Sequence, residues 1–183
     1  MWSRTKARKT VPEVILFENH NGRLGYRNAG AVSGSMTLYR PSLDGGFPQL
    51  RNDLENALVA QGLYRKEAQA MIATWQDSWF EEGLRVVYIV PSRTINALLP
   101  LQVNPVPSQI SRVFVGRIEL ITPEAKRAVE DAIATNNSAV ISRYGRFLGP
   151  ILKLISQENP ANSSKMDKLR ASVVDYSVAP GCH

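Results

Sequence analysis

The fold is decided by the stretch Gly62–Pro91, GLYRKEAQAMIATWQDSWFEEGLRVVYIVP, in which a helical pattern runs directly into a strand pattern. Its apolar residues, including Trp75 and Trp79, recur at the i, i+3, i+4 and i+7 spacing that buries one face of a helix. Gly83 stops this helix, since glycine readily takes the backbone angles of a helix end. The next run, 84–90, is apolar and rich in branched side chains, which is typical of a strand covered on both faces. The stretch therefore predicts a helix packed on an interior strand.

Four residues of this region and its neighbourhood are predicted to be structural anchors. They are Trp75, Trp79, Gly83 and, on a later strand, Phe114. Burying one tryptophan contributes up to about 5 kcal/mol, so two of them one helical turn apart favour a core position. An exposed platform for carbohydrate or peptide is the alternative interpretation of the two tryptophans.

The chain before this stretch reads as strands followed by a helix. Strands at 13–18 and 23–27 form a hairpin, because Asn19–Gly22 contains residues that tolerate positive φ. Val32–Tyr39 is a weaker third strand. Apolar residues at a spacing of four then predict a helix over 47–62, which forms an antiparallel helical hairpin with the next helix.

The chain after this stretch alternates between extended and helical patterns. The Thr-Pro-Glu sequence that begins at Thr122 is typical of a helix start, and Pro150 is expected to kink the last helix. The predicted segments are a short helix at 92–99, a proline-rich extended segment at 100–108, a strand at 110–121, and helices at 122–135 and 138–156. The fold class is α+β: a small, mostly antiparallel sheet, with the helical hairpin on one side and the C-terminal helices on the other.

The net charge of +6 is concentrated at the ends of the chain. Residues 1–10 contain four basic and no acidic residues, whereas the body, 11–160, has a net charge of only +1. A nucleic-acid-binding domain concentrates basic charge on its folded surface, so no strong nucleic-acid signal is present. We predict a basic disordered tail at 1–10, a single domain at 11–157 and a poorly ordered tail at 158–183.

The composition also excludes several kinds of protein. The single cysteine, Cys182, excludes an intramolecular disulfide. No run approaches the roughly 20 apolar residues of a transmembrane helix, and no signal peptide is visible, which predicts the cytoplasm. No phosphate-binding loop or cofactor motif is present, so no cofactor is predicted.

The candidate catalytic residues are Asp77, Glu81 and Glu82, with Arg85 beside them. Paired carboxylates can perform acid–base chemistry or hold a metal ion. Neither His20, in a predicted turn, nor His183 at the end of the chain is expected to join them. A solvated polar face, with no chemistry, is the competing interpretation.

Several sequence strings resemble the C-terminal part of a family of uncharacterised bacterial proteins that are often predicted to be exported. The strings are VILFEN at 14–19, GLYRKEA at 62–68, TWQDSWFEEGLR at 74–85, LPL at 99–101 and RVFVGRIE at 112–119. The resemblance implies no known activity. It implies a cell-envelope location, and a chain that is a fragment or a shortened relative without the leader.

Three functions follow as hypotheses. The first is a non-catalytic interaction or structural module with an unidentified protein partner, belonging to a bacterial envelope protein. The second is a hydrolase-like or metal-assisted enzyme that uses Asp77, Glu81 or Glu82 with Arg85. The third is nucleic-acid binding through the basic tails, with an affinity that falls steeply with salt.

Overall fold

The computed structural model describes residues 10–158, apart from the side chain of Arg146, and confirms the α+β class. The predicted tails lie outside these residues, except that Thr10 begins the first strand and Glu158 ends the last helix. The elements are β1 (Thr10–His20), β2 (Arg23–Ser33), α1 (Phe47–Ala60), α2 (Arg65–Trp79), β3 (Gly83–Val90), α3 (Ser92–Leu98), β4 (Phe114–Leu120), α4 (Pro123–Ala134), α5 (Ser138–Arg143), a 3-10 turn (Gly145–Phe147) and α6 (Leu148–Glu158).

The four strands form one antiparallel sheet in the order β2-β1-β3-β4. The β1–β2 hairpin turns at Asn21 and Gly22, whose φ angles of 54° and 77° are those of a two-residue hairpin loop. The predicted hairpin and the interior position of β3 are confirmed. The pairing of β1 with β3 sets Asn19 opposite Gly83, so the tip of the hairpin meets the end of α2.

The first core lies between one face of the sheet and the helical hairpin α1–α2. Alternate residues of β1 and β3 point to this face, and they pack against the leucines of α1 and the apolar side of α2. Its most buried members include Ile15, Phe17, Leu54, Leu58, Ile72, Val87 and Ile89. The two helices form a hairpin because only four residues separate them, with Gly62 at a φ of 103°.

The second core is formed by α4, α5 and α6 and reaches the sheet at one end. Phe147, which is fully buried, lies over Gly83 at the start of β3. A Cβ added to Gly83 would lie 2.7 Å from the Phe147 ring, so the two elements approach this closely only because residue 83 is glycine. The C-terminal helices therefore cover the end of the sheet.

The opposite face of the sheet is covered unevenly. The segment after β2 crosses the β1–β2 part, where the Arg40 guanidinium donates to the buried Glu18 carboxylate at 2.8 Å. Within the described part of the chain, the β3–β4 part is open: Phe114 is 43% and Ile118 is 51% exposed. Tyr88 lies over Gly116 there, which is the close approach that a glycine inside a strand indicates.

Three predicted elements differ from the structure. Val32–Tyr39 is not a strand: β2 instead continues to Ser33, and residues 34–40 are irregular. The strand predicted at 110–121 is shortened to Phe114–Leu120. The single helix at 138–156 is divided at Tyr144–Phe147, because Gly145 adopts a positive φ, and Pro150 falls in the first turn of α6, where its missing N–H has no helical partner to lose.

Two of the four predicted anchors are wrong. Trp79 is 7% exposed and Gly83 is buried, as predicted, but Trp75 is 44% exposed. Ser78, three residues after Trp75, accepts from Arg117 of β4, and β4 is an edge strand of the sheet that residues 10–158 form. Phe114 is exposed because it lies on the open face of the sheet.

Candidate functional site

Arg85 is a fully buried arginine that holds the end of α2. Its Nη1 donates to the Trp79 carbonyl and its Nη2 to the Glu82 carbonyl, both at 2.8 Å. The last carbonyls of a helix have no partner within the helix, and this guanidinium supplies one. The same group lies 5.3 Å from the centre of the Phe147 ring, so Arg85 joins the first core to the second.

A chain of opposite charges surrounds Arg85. Its Nε lies 3.4 Å from Oε2 of Glu119, and the other oxygen of Glu119 lies 2.6 Å from Nε of Arg117. Arg117 also donates to the Ser78 carbonyl and lies 3.8 Å from the Glu81 carboxylate. Burial lowers the pKa of Arg85 and Glu119 opposes that effect, yet the guanidinium remains charged at neutral pH because its normal pKa is so high.

Glu82 is a buried glutamate that directly precedes β3. Its side chain is 8% exposed, and both of its oxygens accept from the backbone N–H of Asn21, at 2.9 and 3.0 Å. The Nδ1 atom of His20 lies 3.3 Å from the same carboxylate. The expectation that no histidine lies near the acidic residues is therefore wrong.

Two adjoining clefts open around Glu82. The first, of about 270 Å³, lies between the hairpin tip and α4–α5. The second, of about 640 Å³, is lined by Asp77, Glu81 and Glu82. Arg143 borders both clefts and donates to the Asn21 side chain at 2.8 Å, which ties α5 to the hairpin tip.

The structure brings three of the four candidate catalytic residues together and separates the fourth. Asp77, Glu81 and Glu82 share the second cleft, whereas Arg85 lies behind it with its donors directed at backbone carbonyls. Glu81 follows the end of α2, so it does not share a helix face with Asp77. Within residues 10–158, no group of three or more histidine, cysteine, aspartate or glutamate side chains could hold a metal ion.

The chemistry that this arrangement offers is an imidazole oriented by a carboxylate. A carboxylate beside one ring nitrogen of histidine fixes the orientation of the ring, as in general acid–base sites. His20 is 53% exposed and borders the first cleft, so a small molecule could reach it.

Sequence reasoning missed His20 and Arg143. His20 and Glu82 are far apart in the chain, and only the antiparallel pairing of β1 with β3 places them together. The sequence does show that the hairpin turn directly follows β1 and that Glu82 directly precedes β3. If β1 and β3 pair in antiparallel orientation, the end of β1 lies beside the start of β3, so the hairpin tip contacts the end of α2.

A group of exposed apolar side chains lies elsewhere, between the last residue of α3 and the residues before β4. In this segment, residues 98–110, six large apolar side chains are between 44% and 87% exposed: Leu98, Leu99, Leu101, Val103, Val106 and Ile110. We call it the apolar loop. Arg112 donates to the Leu99 carbonyl at 2.6 Å and so ties the start of the loop to the residues before β4.

Comparison with known proteins found no matching family, no similar curated protein and no similar solved structure. No helix within residues 10–158 is both long and apolar enough to cross a membrane.

Proposed function

We propose that the domain is a non-catalytic interaction module that binds another protein through the apolar loop. The exposure of six large apolar side chains within residues 98–110 is the observation that carries this proposal. Exposed apolar side chains gathered in one surface segment of a folded protein are a feature of interaction sites. Each such side chain, once covered by a partner, contributes at most about 1.5–3 kcal/mol before the costs of association.

The loop is suited to this task by its backbone as well as by its side chains. Pro100, Pro105 and Pro107 restrict the backbone and remove N–H donors. A segment restricted in this way loses less conformational entropy on binding than a glycine-rich loop does. Among the described residues, it is an irregular segment on a well-packed domain, which is where binding residues are commonly found.

The contacts of the candidate catalytic residues favour a structural role for two of them. Arg85 supports the end of α2, and Glu82 accepts the hairpin N–H. Removing either group would leave buried polar atoms without partners. The structural contacts of Arg85 and Glu82 therefore account for both charged side chains without a substrate.

The test is capture of a partner from the organism that makes the protein. The full chain with Leu101→Asp and Val106→Asp should lose at least about tenfold in affinity for the captured partner, since the two covered side chains together contribute about 1.4 kcal/mol or more. Gln49→Asp with Asn52→Asp is the matched control, because it adds the same charge to exposed sites on α1. A purified chain that has no partner and turns over a substrate would contradict the proposal.

An enzyme remains the second candidate because His20 lies beside the buried Glu82 at the mouth of a cleft. The hydrolase-like hypothesis now uses His20 as the general base, with Glu82 orienting it and Asp77 and Glu81 in the adjoining cleft. Hydrolysis of p-nitrophenyl esters or phosphates that His20→Gln abolishes would support it. Equal rates for the wild type and His20→Gln would end it.

The location in a bacterial envelope is also a proposal, and it depends on the resemblance of the sequence strings. Fractionation of the native organism, with an antibody to residues 10–158, distinguishes envelope from cytoplasm. The nucleic-acid hypothesis concerns residues outside the described range and stays a prediction. Retention of nucleic-acid binding after deletion of residues 1–10 would contradict it.

A further inference from the structure

The strand β4 lies at one edge of the sheet. β4 pairs with β3 from Phe114 to Leu120 without a register shift, and no strand within residues 10–158 pairs with its other side. The backbone groups on that side are therefore available to another strand. Residues 114–120 contain no proline and no bulge, and their only charged residues are Arg117 and Glu119.

The other edge of the sheet is protected. The pairing of β2 with β1 shifts register between Val11 and Ile15, which twists that edge. The segment after β2 also covers part of it, since the Gly45 N–H donates to the Leu24 carbonyl and Arg27 donates to the Tyr39 carbonyl. Among residues 10–158, the β4 edge is therefore the unprotected edge of the sheet.

We propose that this edge pairs with a second copy of the same chain, β4 to β4 in antiparallel orientation about a two-fold axis at Ile118. In this register Arg117 lies opposite the partner's Glu119 and Glu119 opposite the partner's Arg117. The two residues already pair within one chain, with Arg117 Nε 2.6 Å from Glu119, so the axis brings two such ion pairs together with unlike charges facing. Opposite charges in directly facing cross-strand positions stabilise a strand pair. A strand that is complementary to itself in this way forms the isologous interface of a two-fold dimer.

The charges also favour a two-fold axis at Ile118 over an axis one residue earlier. A two-fold axis at Arg117 would place two guanidinium groups opposite each other, which is destabilising. With the axis at Ile118, the two isoleucines meet on the open face, and Gly116 faces the partner's Leu120. Ile118, now 51% exposed, would become covered, and the two sheets would form one continuous sheet of eight strands.

The first test is the oligomeric state of the purified full chain. Sedimentation over roughly 1–200 µM should show a monomer–dimer equilibrium, as expected for an interface at the small end of specific interfaces. Amide exchange within 115–120 should slow as the concentration rises. Ile118→Lys should weaken the dimer at least tenfold, because it places two ammonium groups opposite each other, while Met36→Lys, at a site with the same 51% exposure, should not.

The second test fixes the register by disulfide cross-linking in a Cys182→Ser background. Ile118→Cys should cross-link to a dimer on mild oxidation, because the two side chains face each other at the axis. Met36→Cys should not. A chain that stays monomeric at every concentration would overturn the proposal, and so would equal cross-linking at both positions. It would also be overturned if amide exchange in 115–120 slowed only when a different protein was added. The partner proposed for the apolar loop plays no part in either test, so the two proposals can fail separately.

Discussion

Arg85 connects the two cores of the molecule through one buried side chain. It supplies donors to the end of α2, faces Glu119 on β4 and lies against Phe147 of the second core. A buried charge is costly unless its partners are complete, so the residues around it must keep their positions.

Replacing Arg85 by methionine should lower the free energy of unfolding by about 3–5 kcal/mol, because it leaves buried carbonyls and the Glu119 carboxylate without their partner. Urea denaturation followed by circular dichroism measures the change. Arg93→Met, at an exposed site on α3, should change it by less than about 0.5 kcal/mol. Equal effects at the two positions would show that Arg85 is not a structural centre.

The contacts of Tyr26 predict how the free energy of unfolding changes at alkaline pH. Burial and the hydrogen bond from its hydroxyl to Asp53, at 2.9 Å, raise the pKa of Tyr26 to about 12. The unfolded side chain titrates near pH 10, so the stabilisation from Tyr26 is complete below about pH 10 and is lost as the pH rises towards 12. Tyr26→Phe should therefore make the fall in stability across this window shallower.

The measurement is denaturant unfolding at a series of pH values between about 9 and 12. Tyr64→Phe is the control, since Tyr64 is 79% exposed. A steeper fall in Tyr26→Phe than in the wild type would contradict the sign of the predicted effect.

At the scale of the elements, α2 has one buried and one exposed tryptophan. Trp79→Ala should lower the free energy of unfolding by about 3–5 kcal/mol, because it leaves a cavity in the first core. Trp75→Ala should cost less than about 1 kcal/mol, since its ring is already partly in water. Comparable losses for both variants, measured by urea denaturation, would show that a partner or a tail covers Trp75.

The junction of β3 with the second core depends on Gly83. Gly83→Ala should destabilise the domain by about 1–3 kcal/mol, because the added Cβ meets the Phe147 ring and the φ angle of 118° is strained for alanine. Gly30→Ala is the control for backbone strain alone, since Gly30 has a φ of 62° and open space around its Cβ position. Thermal unfolding of the two variants separates the clash from the strain, and an equal loss in both would rule out the clash.

The elements could be predicted where the signal is local. Asn21 and Gly22 form the expected turn, and the Thr122 hydroxyl caps α4 by accepting from the Ala125 N–H at 3.1 Å. Trp75 shows the limit of such signals. Helical spacing gives the direction of its side chain, but only the strand order decides whether anything lies in front of it.

At the scale of the whole molecule, the contacts that form the candidate site join residues distant in sequence. The sequence places Asp77 and Glu82 close together because they are neighbours, whereas His20 and Arg143 join them through strand pairing and through the packing of α5 on the hairpin tip. Composition likewise shows a near-neutral body but not where its exposed apolar residues gather. Such contacts between distant parts of the chain could not be predicted from the sequence, because they depend on how the strands and helices pack.

Site-specific photo-cross-linking in the native organism tests whether the apolar loop binds another protein. The full chain carries p-benzoylphenylalanine at Val106, which is 87% exposed, or at Asn52, an exposed site on α1. We predict a discrete cross-linked protein from position 106 that is absent from position 52. No adduct at position 106, or the same adducts at both positions, would contradict the claim.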